Sequence, residues 1–407
     1  MTIKSSVSRR QFAVADHETA AHLVSAAHDA SPVCGLTHNF YRYPARFSPI
    51  LVRAAVEAFT EPGDLVLDPF MGGGTTLVEA LALGRQALGT DISSLATFVS
   101  EVKTTLLSEK DLGRLSAWIA TVSDRINMHG RARASLDYAE AGYYRHMEGV
   151  STWRFRKAIE QGLSSARELD TPKLEAFARC AILRTAQWAL DGRRKLPSMA
   201  EFRSDLVSNT HEMLEGARLL RKVVTASGGR GGQPIHCFNR STAGLELDSR
   251  LRGLPPPRLV CTSPPYPGVH VLYHRWQVDG RKETPAPFWI ANKLDGDGES
   301  YYTLGNRRAF ELKSYFEGLR EAMRSISAIC SKDTTVMQVV AFSDPSWQLP
   351  RYLSVIDDAG MKEMFLPNLR KQRDGRLWRS VPNRKWHANQ KGKTSGSQEV
   401  VLFHRLK

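Results

Sequence analysis

The most restrictive feature of the sequence is an apolar run, a glycine-rich turn, a helical pattern and a second apolar run within residues 65–91. Residues 65–68 have the composition of a buried strand, and the glycines at 72–74 open a helix that ends at Gly84. Residues 86–90 form a second candidate strand that leads to Asp91. Two strands joined in this way predict a parallel pair, and hence an α/β fold with a doubly wound, mostly parallel sheet.

The rest of the chain extends this pattern. Ser48 and Pro49 are a helix cap and a first helical residue, and they predict a helix over 48–60. Further strands are expected at 234–238, 257–261, 334–342 and 399–406, with a helix over 312–330. We divide the chain into an N-terminal arm, 1–30, that is a short helix or a loose segment; a first half of the main domain, 31–100; a helical insert, 101–230; and a second half, 231–407.

Charge indicates what kind of partner to expect. The chain of 407 residues has a formal net charge of +14, while its hydrophobic fraction of 42% is ordinary for a globular protein. Such an excess favours a polyanionic partner, because neutralising phosphates releases counterions. The five cysteines are scattered and form no Cys-x-x-Cys pair, so neither a metal site nor a disulfide framework is expected. With no apolar stretch long enough to span a membrane, we expect a cytoplasmic protein.

The turn at 68–76 is suited to binding a ligand. A strand followed by glycines and a helix N-terminus points backbone N–H groups outward and allows a ligand to approach the backbone closely. Asp91 follows 23 residues after Asp68, at the end of the next strand, where an acidic group suits a ribose diol. No lysine follows the glycines, which argues against a nucleoside-triphosphate loop. The turn therefore predicts a nucleoside-type cofactor.

A second motif, Thr262-Ser263-Pro264-Pro265-Tyr266, directly follows the apolar run at 259–261. Two successive prolines cannot continue a central strand, so the chain must leave the sheet as a stiff loop. The loop carries one small hydroxyl, carbonyl acceptors and an aromatic face. These groups can hold a flat ring that bears an amine.

Together the two motifs resemble those of the S-adenosylmethionine-dependent DNA amino-methyltransferases that act on cytosine N4 or adenine N6. Residues 68–76 resemble the cofactor motif, residues 262–266 resemble the catalytic motif in its cytosine-N4 form, and residues 38–47 resemble the segment that precedes the cofactor motif. The resemblance implies a cofactor site, with Asp68 near the methionine ammonium and Asp91 at the ribose hydroxyls. The full expected set for the cofactor is Tyr43, Phe47, Asp68, Pro69, Phe70, Gly72, Gly74, Thr75 and Asp91.

The same resemblance implies that Ser263, Pro264, Pro265 and Tyr266 hold the target base. The Ser263 hydroxyl and the Pro264 carbonyl would accept hydrogen bonds from the exocyclic amine, and Tyr266 would stack on a base that has been flipped out of the duplex. The methyl group would then be displaced in line, with no covalent nucleophile and with positioning supplying most of the acceleration. Cys261 is expected to be a buried strand residue.

The resemblance implies double-stranded DNA as the partner, and a restriction–modification or related defence setting with a nuclease as a possible second partner. Adenine N6, where the family usually places an acidic residue or asparagine at the position of Ser263, stays as an alternative target. A tRNA or rRNA base methyltransferase and a non-catalytic cofactor-binding DNA module also stay open. Two stretches, 269–289 and 368–396, interleave basic and aromatic residues and are expected to contact phosphates. The first, which contains Trp276 and Trp289, lies just beyond the catalytic motif and is expected near the target. The helical insert either reads the target or stabilises the fold.

Overall fold

The structure is a computed structural model of the chain. It describes residues 13–43, 46–228, 233–268, 275–280, 282–296, 302–305, 310–369, 374–380 and 398–407. Within those ranges, no helix combines the length and the apolar composition needed to cross a bilayer.

The strands form a large central sheet and a separate hairpin. They are β1 Leu65–Asp68, β2 Gln86–Asp91, β3 Ile235–Asn239, β4 Leu259–Thr262, β5 Trp276–Val278, β6 Lys282–Thr284, β7 Thr335–Val340, β8 Met361–Met364, β9 Leu377–Ser380 and β10 Gln398–Leu406. The central sheet has the order β3-β2-β1-β4-β7-β10-β8, and β9 pairs with β10. Strands β1, β2, β3, β4 and β7 are parallel, while β10 runs antiparallel to β7, β8 and β9. The strands β2 and β3 lie on one side of β1, whereas β4 and β7 lie on its other side, so the strand order changes direction between β1 and β4. A ligand is expected in the crevice at the carboxyl ends of these two strands.

Helices cover the sheet and form a separate bundle. They are α1 His17–His28, α2 Pro49–Phe59, α3 Thr75–Ala82, α4 Ser94–Thr104, α5 Glu109–Arg125, α6 Leu136–Glu140, α7 Trp153–Ala166, α8 Pro172–Leu190, α9 Met199–Ala226, α10 Ala286–Ala291, α11 Lys313–Ile329 and α12 Pro345–Asp358. Val66 of β1 packs in the core shared with α1 and α2, whereas Leu65 and Leu67 pack in the core shared with α11 and α12. This alternation is what a sheet buried on both faces requires.

The helices from α5 to α9 lie between β2 and β3 in the chain, where the helical insert is expected. They enclose a third core, which also takes in α4, the segment that contains Phe40 and Tyr41, and the later residues Trp276 and Trp289. The insert is therefore packed against both halves of the main domain and is not a detached module.

The expected elements are present within a residue or two of their predicted ends. The doubly wound α/β class is confirmed, and Ser48 caps α2 with Pro49 as its first residue. The segment expected as an arm contains α1, whose Leu23 is fully buried. The sequence interpretation missed the β5–β6 hairpin, β8, β9 and α12, and it did not foresee that β10 is antiparallel.

Candidate active site

One cavity opens at the carboxyl ends of β1, β2, β3 and β4. Of the expected site residues it is lined by Tyr43, Phe47, Asp68, Pro69, Phe70, Gly72, Thr75, Asp91, Ser263 and Pro265. The two motifs, nearly 200 residues apart in sequence, therefore face one space. Among the expected residues, Gly74, Pro264 and Tyr266 are outside the lining, and Pro264 and Tyr266 are buried.

The glycine-rich turn is fixed by its own backbone. The Gly74 N–H donates to the Met71 carbonyl at 2.7 Å, and Gly74 has a positive φ of 73° where it begins α3. A Cβ on Gly73 would lie 2.9 Å from the Tyr43 Cβ. Glycine is required at both positions, because one needs left-handed backbone and the other leaves no room for a side chain.

Two carboxylates flank this turn. Asp91 accepts the Gly72 N–H at 2.9 Å and the Ser93 N–H at 2.8 Å, while burial raises its pKa to about 6. Asp68 accepts the Thr262 hydroxyl at 2.7 Å and so ties the end of β1 to the end of β4. Burial likewise raises the pKa of Asp68 to about 6. Both groups can accept hydrogen bonds or balance a cation when they are ionised.

A buried amine supports the turn from behind. Lys103, near the end of α4 and only 1% exposed, donates from Nζ to the Gly73 carbonyl at 2.7 Å. Burial lowers its pKa to about 7. The sequence interpretation missed this contact, since a lysine in an otherwise amphipathic helix gives no signal that it points inward.

The loop that follows β4 is held by hydrogen bonds to two of its carbonyl groups. The Tyr315 hydroxyl donates to the Pro265 carbonyl at 2.7 Å, and the Ser343 hydroxyl donates to the Pro267 carbonyl at 3.4 Å. Cys261, in the strand before the loop, is fully buried, which confirms its place in the core.

The hydroxyl of Ser263 is the start of a buried hydrogen-bond chain. Ser263 Oγ lies 2.9 Å from the Tyr266 hydroxyl, and that hydroxyl donates to Oε1 of Glu399 at 2.8 Å. Oε2 of Glu399 accepts from Arg379 Nε at 2.9 Å. A tyrosine has one hydroxyl hydrogen, and here it is donated in the hydrogen bond to the Glu399 carboxylate. The Ser263 hydrogen must therefore point to Tyr266, which leaves the lone pairs of Ser263 Oγ available to accept.

The cavity also has lining residues that sequence reasoning did not select. They are Arg46, Met71, Gly73, Ile92, Ser93, Arg240, Ser241, Thr242, Tyr302 and Leu304. Residues 240–242 directly follow the carboxyl end of β3, so the rule that ligands bind at strand ends would have found them. Tyr302 and Leu304 come from a distant irregular segment and give no such signal.

The structure corrects the expectation for the basic and aromatic stretches. Trp276 and Trp289, expected near the target, are 2% and 1% exposed, and they pack in the core of the insert. Arg376 makes two contacts of 2.6 and 2.7 Å with Glu363, and Arg379 pairs with Glu399, so both neutralise internal carboxylates. The remaining basic residues at 370–373 and 384–393, with residues 269–274, lie outside the described residues.

Comparison with known proteins finds similarity to DNA methyltransferases over part of the chain. Residues 19–97 match the family model of N6/N4 DNA methylases. The type II methyltransferase M.MvaI of Kocuria varians is 40% identical over 82 residues, which is 19% of this chain and 18% of that protein. The type II methyltransferase M.MjaII of Methanocaldococcus jannaschii is 37% identical over 78 residues, 19% of this chain and 14% of that protein.

A relative that is named as an adenine methyltransferase also matches. The DNA adenine methyltransferase YhdJ of Escherichia coli is 37% identical over 59 residues, 14% of this chain and 20% of that protein. Each match spans no more than a fifth of the relative's own length. Residues 19–97, which include α2, the glycine-rich turn and Asp91, are therefore similar to the N6/N4 family of DNA methylases.

Proposed function

We propose that the protein transfers a methyl group from S-adenosylmethionine to the exocyclic N4 amine of cytosine in double-stranded DNA. The observation that carries the proposal is the shared cavity, in which Ser263 and Pro265 face the glycine-rich turn and Asp91. An amine acceptor and a nucleoside-binding turn in one space suit a transfer between two bound ligands, for which positioning is the main requirement.

The residues of the cavity fit the cofactor. S-adenosylmethionine supplies a methyl group on a sulfonium sulfur, together with an ammonium group, a ribose diol and an adenine ring. Asp68 offers a negative charge to the ammonium, Asp91 offers acceptors to the ribose, and Phe70 with Ile92 offers apolar surface to the ring. The expected assignment of Asp68 and Asp91 is thus retained as part of the proposal.

Ser263 prepares the target amine. The lone pair of an exocyclic amine is delocalised into the ring, so the amine is a poor nucleophile. An N–H that donates to Ser263 Oγ, which lines the cavity, would favour a pyramidal nitrogen and so localise the lone pair on it. The chain through Tyr266 and Glu399 supports this role, because it keeps the Ser263 hydrogen away from the amine.

Tyr266 has a different place from the expected one. Its ring is 7% exposed, and it packs among residues of β4, α11 and α12. We therefore assign it the role of orienting Ser263 through its hydroxyl. Stacking on a flipped base would need the loop to move.

The choice between cytosine N4 and adenine N6 depends on Ser263. The hydroxyl at this position favours cytosine in the family pattern, while similarity to an adenine methyltransferase keeps adenine as the second candidate. Similarity to two type II methyltransferases supports a restriction–modification setting, in which a nuclease partner belongs to the proposal.

Nucleoside analysis tests the proposal. Purified protein is incubated with labelled S-adenosylmethionine and unmethylated plasmid DNA, with total RNA in parallel, and the digested products are identified by mass spectrometry. N4-methyldeoxycytidine is the expected product, and it should be lost in Ser263→Ala. N6-methyldeoxyadenosine would overturn the use of Ser263 to assign the base. A label confined to RNA would overturn the DNA substrate.

A further inference from the structure

A second concavity lies next to the active site, between the segment before α2 and the insert. We call it the arginine basin, and it is lined by Asn39, Arg42, Arg46, Arg184, Gln187, Trp188, Asp191, Arg193 and Asn209. Four of these residues are arginines and one is an aspartate. A concave surface with this excess of guanidinium groups attracts anions.

Acidic groups in and around the basin offset its positive charge only in part, since Asp191 interacts electrostatically with Arg42, and Asp205 with Arg184 and Arg193. In the described part of the chain Arg42, Arg46 and Arg193 have no carboxylate within ion-pair distance, whereas Arg184 pairs with Glu212. Burial, together with the nearby charge of Arg42, lowers the pKa of Arg46. An external anion would stabilise the positive charge that remains in excess.

Two arginines of the basin are ordered, Arg193 at its guanidinium group and Arg42 at its backbone. Arg193 lies over the Trp188 ring at 4.5 Å, and its Nε donates to the Trp188 carbonyl at 2.5 Å. The backbone of Arg42 is fixed by Gln187, which accepts from the Arg42 N–H at 3.2 Å and donates to the Arg42 carbonyl at 3.0 Å. Such prior ordering lowers the entropy lost when a ligand binds.

The basin is continuous with the active site through Arg46, which lines both cavities. A duplex that presents a base to Ser263 must run its phosphates over the surface beside that cavity. Arg42 and Arg46 both lie within the segment that matches the DNA methylase family.

We propose that the arginine basin binds backbone phosphates of double-stranded DNA beside the target base. The inference rests on the proposed function for its choice of DNA, and it gives the helical insert a part in holding the substrate. Contacts of this kind fix the position of the duplex without reading its sequence. The basin replaces the described arginines of the 368–396 stretch as the phosphate-contacting surface.

Salt-dependent binding tests the basin. The probe is a fluorescent 20-base-pair duplex of mixed sequence, and the variant is Arg42→Gln/Arg193→Gln, which spares every residue that lines the active-site cavity. We expect the variant to bind at least about tenfold more weakly at 0.1 M salt. We also expect the slope of log affinity against log salt to fall by about 1.8, since each phosphate contact contributes about 0.9.

A matched control removes the same charge elsewhere. Arg324 and Lys332 are exposed and lie at or after the C-terminal part of α11. They are near the amino end of β7, at the opposite end of the parallel strands from the loop that follows β4. Arg324→Gln/Lys332→Gln should keep the affinity to within about twofold and keep the slope. Cofactor binding by calorimetry should be unchanged in both variants, which shows that their folds are intact.

The outcomes separate this inference from the proposed function. If the wild type methylates the duplex and the basin variant keeps the wild-type affinity and slope, the basin is not a phosphate site. If no methyl group reaches DNA, the proposed function fails, and the slope difference still decides whether the basin binds the duplex. Equal losses in the basin and control variants would show only the effect of net charge and would also overturn the inference.

Discussion

A single hydroxyl hydrogen sets the polarity of the candidate catalytic group. Tyr266 donates its hydrogen to Glu399, so Ser263 donates to Tyr266 and presents only lone pairs to the cavity. Ser263 and Tyr266 are three residues apart in the sequence, but Glu399 lies 133 residues after Tyr266. Contacts across such a separation depend on which strands become neighbours, which local patterns do not specify.

Removing the Tyr266 hydroxyl should therefore affect catalysis more than folding. In Tyr266→Phe the Ser263 hydrogen is free to rotate toward the amine, and we expect kcat to fall about tenfold, equivalent to one hydrogen bond of about 1.4 kcal/mol. Affinity for the cofactor should be unchanged. Single-turnover kinetics with saturating DNA measures the change.

Tyr352→Phe is the matched control. Tyr352 is buried in the same core, and its hydroxyl donates to Gln338 and makes no contact with Ser263. Tyr352→Phe should lose about as much unfolding free energy as Tyr266→Phe, but it should keep the wild-type kcat. Equal losses of kcat in the two variants would show that the effect is structural and not one of orientation.

The raised pKa of Asp91 predicts how cofactor affinity depends on pH. An acid with a pKa of about 6 is ionised at pH 7 and about nine-tenths protonated at pH 5, so it accepts hydrogen bonds from the ribose less strongly as pH falls. We expect the titration of Asp91 alone to lower the affinity for S-adenosylmethionine about tenfold between pH 7 and 5, measured by calorimetry as the difference between the wild type and Asp91→Asn. The loss of affinity with falling pH is expected to be smaller in Asp91→Asn, which already binds the cofactor more weakly than the wild type at pH 7. A wild-type affinity that is constant over this range would contradict the role of Asp91.

At the scale of elements, the turn into α3 depends on Gly74. A Cβ there would lie 2.5 Å from the Ser100 hydroxyl of α4, and its φ of 73° disfavours any side chain. Gly63 provides a comparison, since its φ of 92° is also positive but its Cβ would meet nothing within 4 Å. We expect Gly63→Ala to cost about 1 kcal/mol of unfolding free energy and Gly74→Ala about 2–4 kcal/mol.

Urea unfolding of the two glycine variants measures the difference. Gly74→Ala should also weaken cofactor binding, because the turn would move relative to Asp91, whereas Gly63→Ala should not. Equal costs would mean that the approach of α3 to α4 adjusts freely at this position.

The elements differ in how far the sequence predicts them. The strand, turn and helix around Asp68 follow from local pattern, since apolar runs, glycines and caps all indicate the same structure. The β5–β6 hairpin has strands of three residues, too short for a periodic signal. The antiparallel pairing of β10 depends on how the whole sheet assembles. Trp276 and Trp289 were misjudged because the basic residues around them suggest a surface.

At the scale of the whole molecule, Lys103 should influence how stability depends on pH. Its pKa of about 7 in the folded protein is below the ordinary 10.5, so between these values the unfolded chain holds more protons and stability rises with pH. The contribution is at most about 1.4 kcal/mol per pH unit. In Lys103→Met this rise should be absent, as measured by urea unfolding at pH 7 and 9.

The control for this experiment is Lys110→Met, which replaces an exposed lysine of α5. It should keep the wild-type dependence on pH. If Lys103→Met gave a curve parallel to the wild type, the amine would be solvated in the folded state and its contact with the Gly73 carbonyl would carry no proton linkage.

The position of β10 has a consequence for how the molecule is made. β8 is synthesised before β10. Among the described strands, however, β8 pairs with β10, and β10 lies between β8 and β7 in the sheet. Until residues 398–406 emerge, the edge of β7 is open to pairing with another nascent chain, a hazard of unpaired strands. The same strand carries Glu399, so a chain under synthesis has a glycine-rich turn but no oriented Ser263. Completion of the sheet and the orientation of Ser263 therefore arise in the same step of maturation.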